Sequence, residues 1–279
     1  MSEHTNSSAA LSSGLLETMT ITEVRSFQPE VMVIPLGSTE PHGPHLPYGT
    51  DTMLADGLTR EAVELANAQN ARVLRLPPLP FGNNVNFKDF PFACRLRVET
   101  LMAVIVDLVT FAVEEGVKKI VIVNCHGGND ATVNSALRSL FDRFQNTAFV
   151  GACGFGAFSE NLYRELFFDG SPHAGDFETS VMMHYQPALV RDGERRPATM
   201  NFPILEALAS GRISSVRNWA QLMPESCGGR PDEATAEKGR RFAQTDAAGL
   251  AAFLVTLSRS PWHSGFPYPQ TGNEPASNG

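Results

Sequence analysis

Short apolar runs alternate along the chain with longer segments in which apolar residues recur at helical spacing. The runs are rich in Val, Ile and Leu and are long enough for strands that are buried on both faces. They predict strands at 31–36, 72–76, 119–124 and 148–153. The helical spacing predicts helices at 19–27, 50–69, 98–115, 131–144 and 231–258, and a further helix after residue 176.

This strand–helix alternation predicts an α/β fold with a mostly parallel sheet and helices on both faces. Residues 1–14 are small and polar and are expected to form an N-terminal tail, followed by one catalytic domain over 15–260. Residues 261–279 are expected to form a C-terminal tail. In such sheets ligands bind beyond the carboxyl ends of the strands, so the loops after residues 36 and 124 are the places to look for chemistry.

Composition narrows the class of protein. The 279 residues are 42% hydrophobic and 19% charged, as in a compact globular enzyme, and the net charge of −8 argues against nucleic-acid binding. No apolar run is long enough to cross a membrane, and the N-terminus lacks the pattern of a secretory signal. The four cysteines include no CxxC pair, which favours reduced thiols and a cytoplasmic location.

The loop after the first predicted strand carries Glu40, His42, His45 and Asp51 among prolines and glycines. Alternate residues of an extended segment point to the same side, so Glu40 and His42 can reach one point. A mixture of carboxylate and imidazole suits zinc, manganese or iron better than calcium or magnesium. Thr50 or Asp51 could also cap the next helix. The alternative is a surface loop that happens to carry polar residues.

Two later segments add the same kinds of side chain. His126 follows the third predicted strand, and His173, Asp176 and Glu178 lead into a helix. Acidic residues are favoured near a helix N-terminus by the helix dipole, which is an alternative explanation for Asp176 and Glu178. Even so, four of the seven histidines lie in these three segments, at junctions between strands and helices.

Three motifs in this order resemble the creatininase (creatinine amidohydrolase) family: E-P-H-G-P-H-L-P-x-G-T-D, N-C-H-G-G-N and H-A-G-x-x-E-T-S. The resemblance covers residues 34–180. It implies a single three-layer α/β/α domain, a centre of two divalent metals and a homo-oligomer, commonly a hexamer. It also implies hydrolysis of C–N bonds, which in the family includes opening of the creatinine lactam, a deformylation and peptide cleavage.

Carried over by position, the resemblance implies that Glu40 and His126 bind one metal, His42 binds the other and Asp51 bridges both. In creatininase itself a Glu two residues after the third-strand His binds the second metal, and the residue at that position here is Gly128. We predict that Glu178 replaces it.

The resemblance further implies that a metal-bound hydroxide attacks the carbonyl carbon while His173 transfers a proton to the leaving nitrogen. Glu178 is expected to take part in the reaction as well as in metal binding. We predict that His45 and Asp176 lie behind the ligands and orient them by hydrogen bonding. The predicted substrate is a small cyclic amide, an N-acyl compound or a formamide.

The loop after the second predicted strand departs from many relatives, which makes creatinine itself a doubtful substrate. Lys88 or Arg95 could bind a substrate anion there, or both could be solvated surface residues. Lactone hydrolysis on the same site is one alternative, and a non-catalytic metal- or ligand-binding protein is another. A Cys125 nucleophile is disfavoured, because neighbouring residues at a strand end point in opposite directions and His126 could not activate it.

Overall fold

A computed structural model describes residues 13–167 and 173–270 of the chain. Four parallel strands form one sheet in the order β2-β1-β3-β4. The strands are β1 (Val31–Leu36), β2 (Val73–Arg75), β3 (Lys119–Asn124) and β4 (Phe149–Gly154). All four predicted strands are present, although β2 is shorter than predicted. The predicted tails lie partly outside the described residues, at 1–12 and 271–279.

Helices cover both faces of the sheet and complete three layers, which confirms the predicted fold. They are α1 (Ile21–Phe27), α2 (Thr50–Asn67), α3 (Val98–Glu114), α4 (Asp130–Phe144), α5 (Glu160–Leu166), α6 (Asp176–Tyr185), α7 (Glu206–Ala209), α8 (Trp219–Leu222) and α9 (Ala236–Arg259). No helix among the described residues is long and apolar enough to cross a membrane.

The core is divided in two by the alternation of side chains along β1 and β3. Val31 and Val33 face one side, where they pack with residues of α2, α6 and α9. Met32 and Ile34 face the other side and pack with residues of α3 and α4. Because every residue of β1 is buried, the strand fixes the position of the loop that follows it.

Helix starts differ from the prediction where a capping side chain sets them. Thr20 forms a capping box with Glu23, so α1 begins at Ile21 rather than at residue 19. Thr235 caps α9, which therefore begins at Ala236 and not at residue 231. The predicted cap of α2 by Thr50 or Asp51 is wrong. Gly49 holds that position without a side-chain hydrogen bond, and Asp51 lies in the first turn.

Helix α6 packs very closely against α9. A Cβ atom at Gly239 would lie 1.8 Å from the carbonyl oxygen of Ser180, so only glycine allows this approach. The Thr235 amide also donates a hydrogen bond of 3.1 Å to Ser180 Oγ. The first turn of α6, which carries Glu178, is therefore held in place by the last helix of the fold.

Candidate metal centre

The predicted site residues meet at the carboxyl ends of β1 and β3. Glu40, His42 and His45 come from the loop between β1 and α2, Asp51 from the first turn of α2, and His126 from the loop after β3. All five are at most 6% exposed. Charged side chains are rarely buried to this extent unless they are paired or bind a metal.

Glu40, Asp51 and His126 form one group of possible ligands. His126 Nδ1 lies 3.3 Å from Glu40 Oε1 and 3.1 Å from Asp51 Oδ2. Two carboxylates and one imidazole therefore converge on one point from three different segments of the chain.

His42, Asp51 and Glu178 form a second group. His42 Nε2 lies 3.0 Å from Asp51 Oδ1 and 3.8 Å from Glu178 Oε2. Asp51 thus turns one carboxylate oxygen toward each group. The Glu178 carboxylate is held by the Ala174 amide, which donates a hydrogen bond of 2.5 Å to Oε2.

Backbone carbonyl groups orient three imidazoles. His42 Nδ1 donates to the Glu40 carbonyl over 3.0 Å and His126 Nε2 donates to the Asn83 carbonyl over 3.2 Å. His173 Nε2 donates to the Pro41 carbonyl over 2.8 Å. Because a carbonyl oxygen can only accept, each hydrogen bond fixes which ring nitrogen carries that proton. The other ring nitrogen faces the cluster, where it can bind a metal once it is deprotonated.

The charge of the cluster favours a bound cation. Burial raises the pKa of Glu40, and it raises the pKa of Glu178 to about 7. Burial opposes protonation of His42, but the carboxylates of Asp51 and Glu178 outweigh it and raise the pKa of His42 to about 10. In the metal-free protein, the imidazole protons supply the positive charge that balances the carboxylates of Glu40, Asp51 and Glu178. Bound divalent cations would replace these protons.

The surroundings of two buried carboxylate oxygens indicate whether a metal fits the cluster. Glu40 Oε2 has no hydrogen-bond partner among the residues that the structure describes, and Asp51 Oδ2 has only the contact of 3.1 Å with His126 Nδ1. Each lies in a group that also contains an imidazole nitrogen able to bind a metal when deprotonated. The residues therefore fit divalent cations of the zinc, manganese or iron type, which accept both kinds of ligand.

His173 lies against the cluster and is held by a loop that sequence reasoning did not identify. Its Nδ1 is 3.8 Å from Glu40 Oε1, and its ring centroid is 4.2 Å from that of His42. Burial, together with the nearby His42, lowers the pKa of His173 well below its usual value. Ser226 Oγ donates to the Pro41 carbonyl over 2.7 Å, and the Gly228 amide donates to the His173 carbonyl over 2.8 Å.

Gly128 is close-packed in a way that excludes the Glu found in creatininase itself. A Cβ atom there would lie 2.3 Å from His126 Nε2 and 2.4 Å from the Asn83 carbonyl oxygen. With this backbone, no side chain fits without displacing the His126 ring. A carboxylate ligand in place of that Glu would have to come from another segment. Glu178 lies in the group with His42 and Asp51, and its role as the replacement stays a prediction.

The two residues predicted to support the ligands make different contacts. His45 Nε2 and Thr179 Oγ1 are 2.9 Å apart, so His45 contacts the residue next to Glu178 rather than a predicted ligand. Asp176 is fully buried, and its Oδ2 lies 4.0 Å from Lys238 Nζ on α9. The role of both residues in orienting ligands remains a prediction.

A cavity of about 270 Å³ opens over the cluster. Its walls include the carboxylates of Glu40, Asp51 and Glu178 and the aromatic rings of Phe87 and Trp219. Cys125 also lines it, but burial raises the pKa of the thiol well above its usual value, which agrees with an unreactive cysteine.

The cavity continues into a groove of about 550 Å³. Both are bounded by Asn86, Gly127, Gly128 and Trp219. Lys88 and Arg95, the predicted anion-binding residues, are exposed and line neither space. The cation that lines the groove is Arg217, which the sequence alone did not single out because no motif surrounds it.

Known proteins resemble this chain over most of its length. The sequence profile of the creatininase (creatinine amidohydrolase) family matches residues 17–254. A mycofactocin precursor peptide peptidase from Mycobacterium ulcerans (strain Agy99) is 33% identical over 234 residues, covering 82% of this chain and 86% of its own. A creatinine amidohydrolase from Pseudomonas putida is 28% identical over 226 residues, covering 71% of this chain and 85% of its own. The solved structure of a candidate creatinine amidohydrolase from Bacteroides fragilis NCTC 9343 has a TM-score of 0.82 and 30% identity, covering 89% of this chain and 98% of that one.

Proposed function

Because the chain belongs to the creatininase family, we propose that it is a metal-dependent hydrolase that cleaves the C–N bond of an amide. One observation carries the proposal. Asp51 turns one oxygen toward Glu40 and His126 and the other toward His42 and Glu178. A carboxylate shared in this way offsets the repulsion between two neighbouring cations and fixes their spacing.

We propose two divalent cations per chain, one held by Glu40 and His126, the other by His42 and Glu178, with Asp51 between them. When bound, such cations polarise a carbonyl group and lower the pKa of water. Related solved creatininases include a manganese form and a zinc–zinc form. Zinc, manganese and iron all suit the ligand set, so the identity of the metal is open to measurement.

His173 is proposed as the residue that moves the proton. The low pKa of His173 keeps the ring neutral, and the Pro41 carbonyl holds the Nε2 proton. Nδ1 is therefore the nitrogen that can accept a proton from attacking water and return it to the leaving amine. Phe87 and Trp219 pack on the ring, with centroids 5.1 Å and 4.9 Å away, and limit the access of water to it.

Two classes of amide remain candidates for the substrate. The enclosed cavity of about 270 Å³ favours a small cyclic amide, N-acyl compound or formamide, the class predicted from the sequence. The open groove beside it favours a longer, peptide-like substrate, which also agrees with the relatives named as peptide peptidases. The creatinine amidohydrolase relative supports the first class.

The test combines metal analysis with hydrolysis. Protein purified without chelator is expected to contain about two metals per chain and to hydrolyse an amide from a panel of creatinine, N-formyl amines and short peptides. Chelation should abolish turnover, and manganese, zinc or iron should restore it. Asp51→Asn should lose both metals, while Asp107→Asn, an exposed change on α3, should behave as wild type. Metal-free wild-type protein, or turnover that survives chelation, would exclude the proposal.

A homo-oligomer is also proposed, as the family resemblance implies. Large apolar side chains such as Phe92 (93% exposed) and Phe141 (66% exposed) support it, because they would be covered in an assembly. Light scattering coupled to size-exclusion chromatography gives the mass directly, and a monomer at micromolar concentration would contradict the proposal.

A further inference from the structure

The groove beside the cavity combines apolar walls with one cation. Met200, Phe202, Val216 and Leu222 line it, together with Arg217. It shares Trp219 with the cavity over the candidate metal centre, so a molecule reaching that centre can extend into the groove. A ligand that fills both spaces would bring an apolar group and a negative charge to the groove.

Arg217 has no carboxylate partner among the described residues, in contrast to Arg196 and Arg230. The Nη2 atom of Arg217 donates a hydrogen bond of 3.1 Å to the Leu208 carbonyl. No carboxylate oxygen of a described residue lies within 4.0 Å of its guanidinium nitrogens, the limit for an ion pair. Arg196 is paired with Glu225, and Arg230 with Asp232. A half-buried guanidinium with one hydrogen bond out of five possible donors has the capacity to bind an anion in a bidentate manner.

The position of Arg217 is fixed by the segment around it. Asn218, the next residue, caps α8 and donates a hydrogen bond of 2.6 Å to Asp89 Oδ2. Trp219 packs on Phe87 with ring centroids 4.8 Å apart. These contacts tie the segment to the loop after β2 and hold Arg217 in the wall of the groove.

Building on the proposed function, we propose that the groove binds the part of the substrate that lies beyond the scissile amide, and that Arg217 recognises a carboxylate there. The substrate class is thereby narrowed to amides that carry an apolar group and a carboxylate. Lys88 and Arg95 are not candidates for this role, because both are exposed and neither lines the groove. Arg217 is a specificity residue and is not placed among the reacting groups.

Two probes that differ only in charge test the proposal. N-benzoyl-leucine carries the carboxylate, and N-benzoyl-leucinamide replaces it with a neutral amide. We expect wild-type, metal-containing protein to bind the acid about 10-fold or more tightly than the amide in isothermal titration calorimetry, as for a charge-assisted hydrogen bond. Arg217→Gln should abolish the preference, Arg217→Lys should keep part of it, and Lys88→Gln should leave it unchanged. Circular dichroism and the midpoint of thermal unfolding verify that each variant is folded.

The outcomes separate this proposal from the proposed function. Equal binding of both probes by wild type, or a preference for the acid that survives in Arg217→Gln, overturns the Arg217 site. The second result would mean that the metal centre itself binds the carboxylate. Metal content and loss of amide turnover on chelation are measured on the same samples, and they test the hydrolase independently of Arg217.

Discussion

A single methyl group at Gly128 should damage both the stability of the protein and its metal centre. The Cβ atom of Gly128→Ala would lie 2.3 Å from His126 Nε2 and 2.4 Å from the Asn83 carbonyl oxygen. Neither neighbour is free to move, because these two atoms are themselves joined by the hydrogen bond of 3.2 Å that orients the His126 ring. The substitution must therefore displace the ring, the backbone at residue 83, or both.

The expected cost has two parts. Inserting a group into a close-packed region costs about 1–3 kcal/mol, and losing the His126 hydrogen bond costs about 1 kcal/mol more. We therefore expect the free energy of unfolding to fall by about 2–4 kcal/mol. Because the hydrogen bond also directs His126 Nδ1 toward Glu40 and Asp51, metal affinity should fall by roughly 10- to 100-fold.

Gly127→Ala is the matched control. It lies in the same turn, and a Cβ atom there would have nothing within 4 Å. Urea unfolding gives the difference in stability between the two variants, and competition with a fluorescent chelator gives their metal affinities. If Gly128→Ala and Gly127→Ala agree in both measurements, the close approach of the glycine to His126 does not exist as described.

Three further predictions follow from other contacts. Glu178→Ala should lower the metal content from about two to about one per chain, as measured by mass spectrometry. The exposed control Glu165→Ala should leave the metal content unchanged. Equal metal content in both variants would exclude Glu178 as a ligand. Asp246→Ala should lower the free energy of unfolding in urea by about 2–3 kcal/mol, because Asp246 accepts three hydrogen bonds of 2.8–3.0 Å from the loop after β4. A decrease no larger than that of the exposed control Asp142→Ala would contradict this prediction. Burial lowers the pKa of His45 to about 4, so between about pH 6.5 and 4 the unfolded chain binds a proton that the folded chain does not, and stability is lost as the pH falls. His45→Gln should flatten that loss by up to about 1.4 kcal/mol per pH unit, and identical slopes in the two proteins would refute it.

The sheet and the long helices could be predicted because their patterns are local. The uninterrupted apolar runs of β1 and β3 and the helical spacing in α3 are set by burial on the sheet, and the structure follows them closely. The short helices α5 and α8 were not predicted, although α1, which is as short as α5, was. The stability of such short helices comes mainly from tertiary contacts. Thr20 and Thr235 cap their helices, but the sequence analysis did not identify them and so missed the first residue of both helices.

The proximity of the candidate site residues was predictable from the sequence and their contacts less so, while their roles stay predictions. Glu40, His42 and His126 follow strand ends, and parallel strands bring such loops together. The expectation that Asp51 caps α2 was wrong. The helix begins at Thr50, and the Asp51 carboxylate faces the imidazoles of His42 and His126. Arg217 and Trp219 come from a weakly patterned segment, and only its path across the cavity gives them a place beside the centre.

The close contact between α6 and α9 has a consequence for synthesis of the protein. During synthesis Glu40, Asp51 and His126 precede residue 130, so the first group of ligands is made before α6 and α9. Glu178 comes later, and the helix that carries it rests on α9 through Gly239 and Ser180, near the end of the domain. An unfinished or truncated chain would carry one group of ligands and lack the support of the other. Both groups of ligands are thus expected to be in place only in a chain that extends through α9.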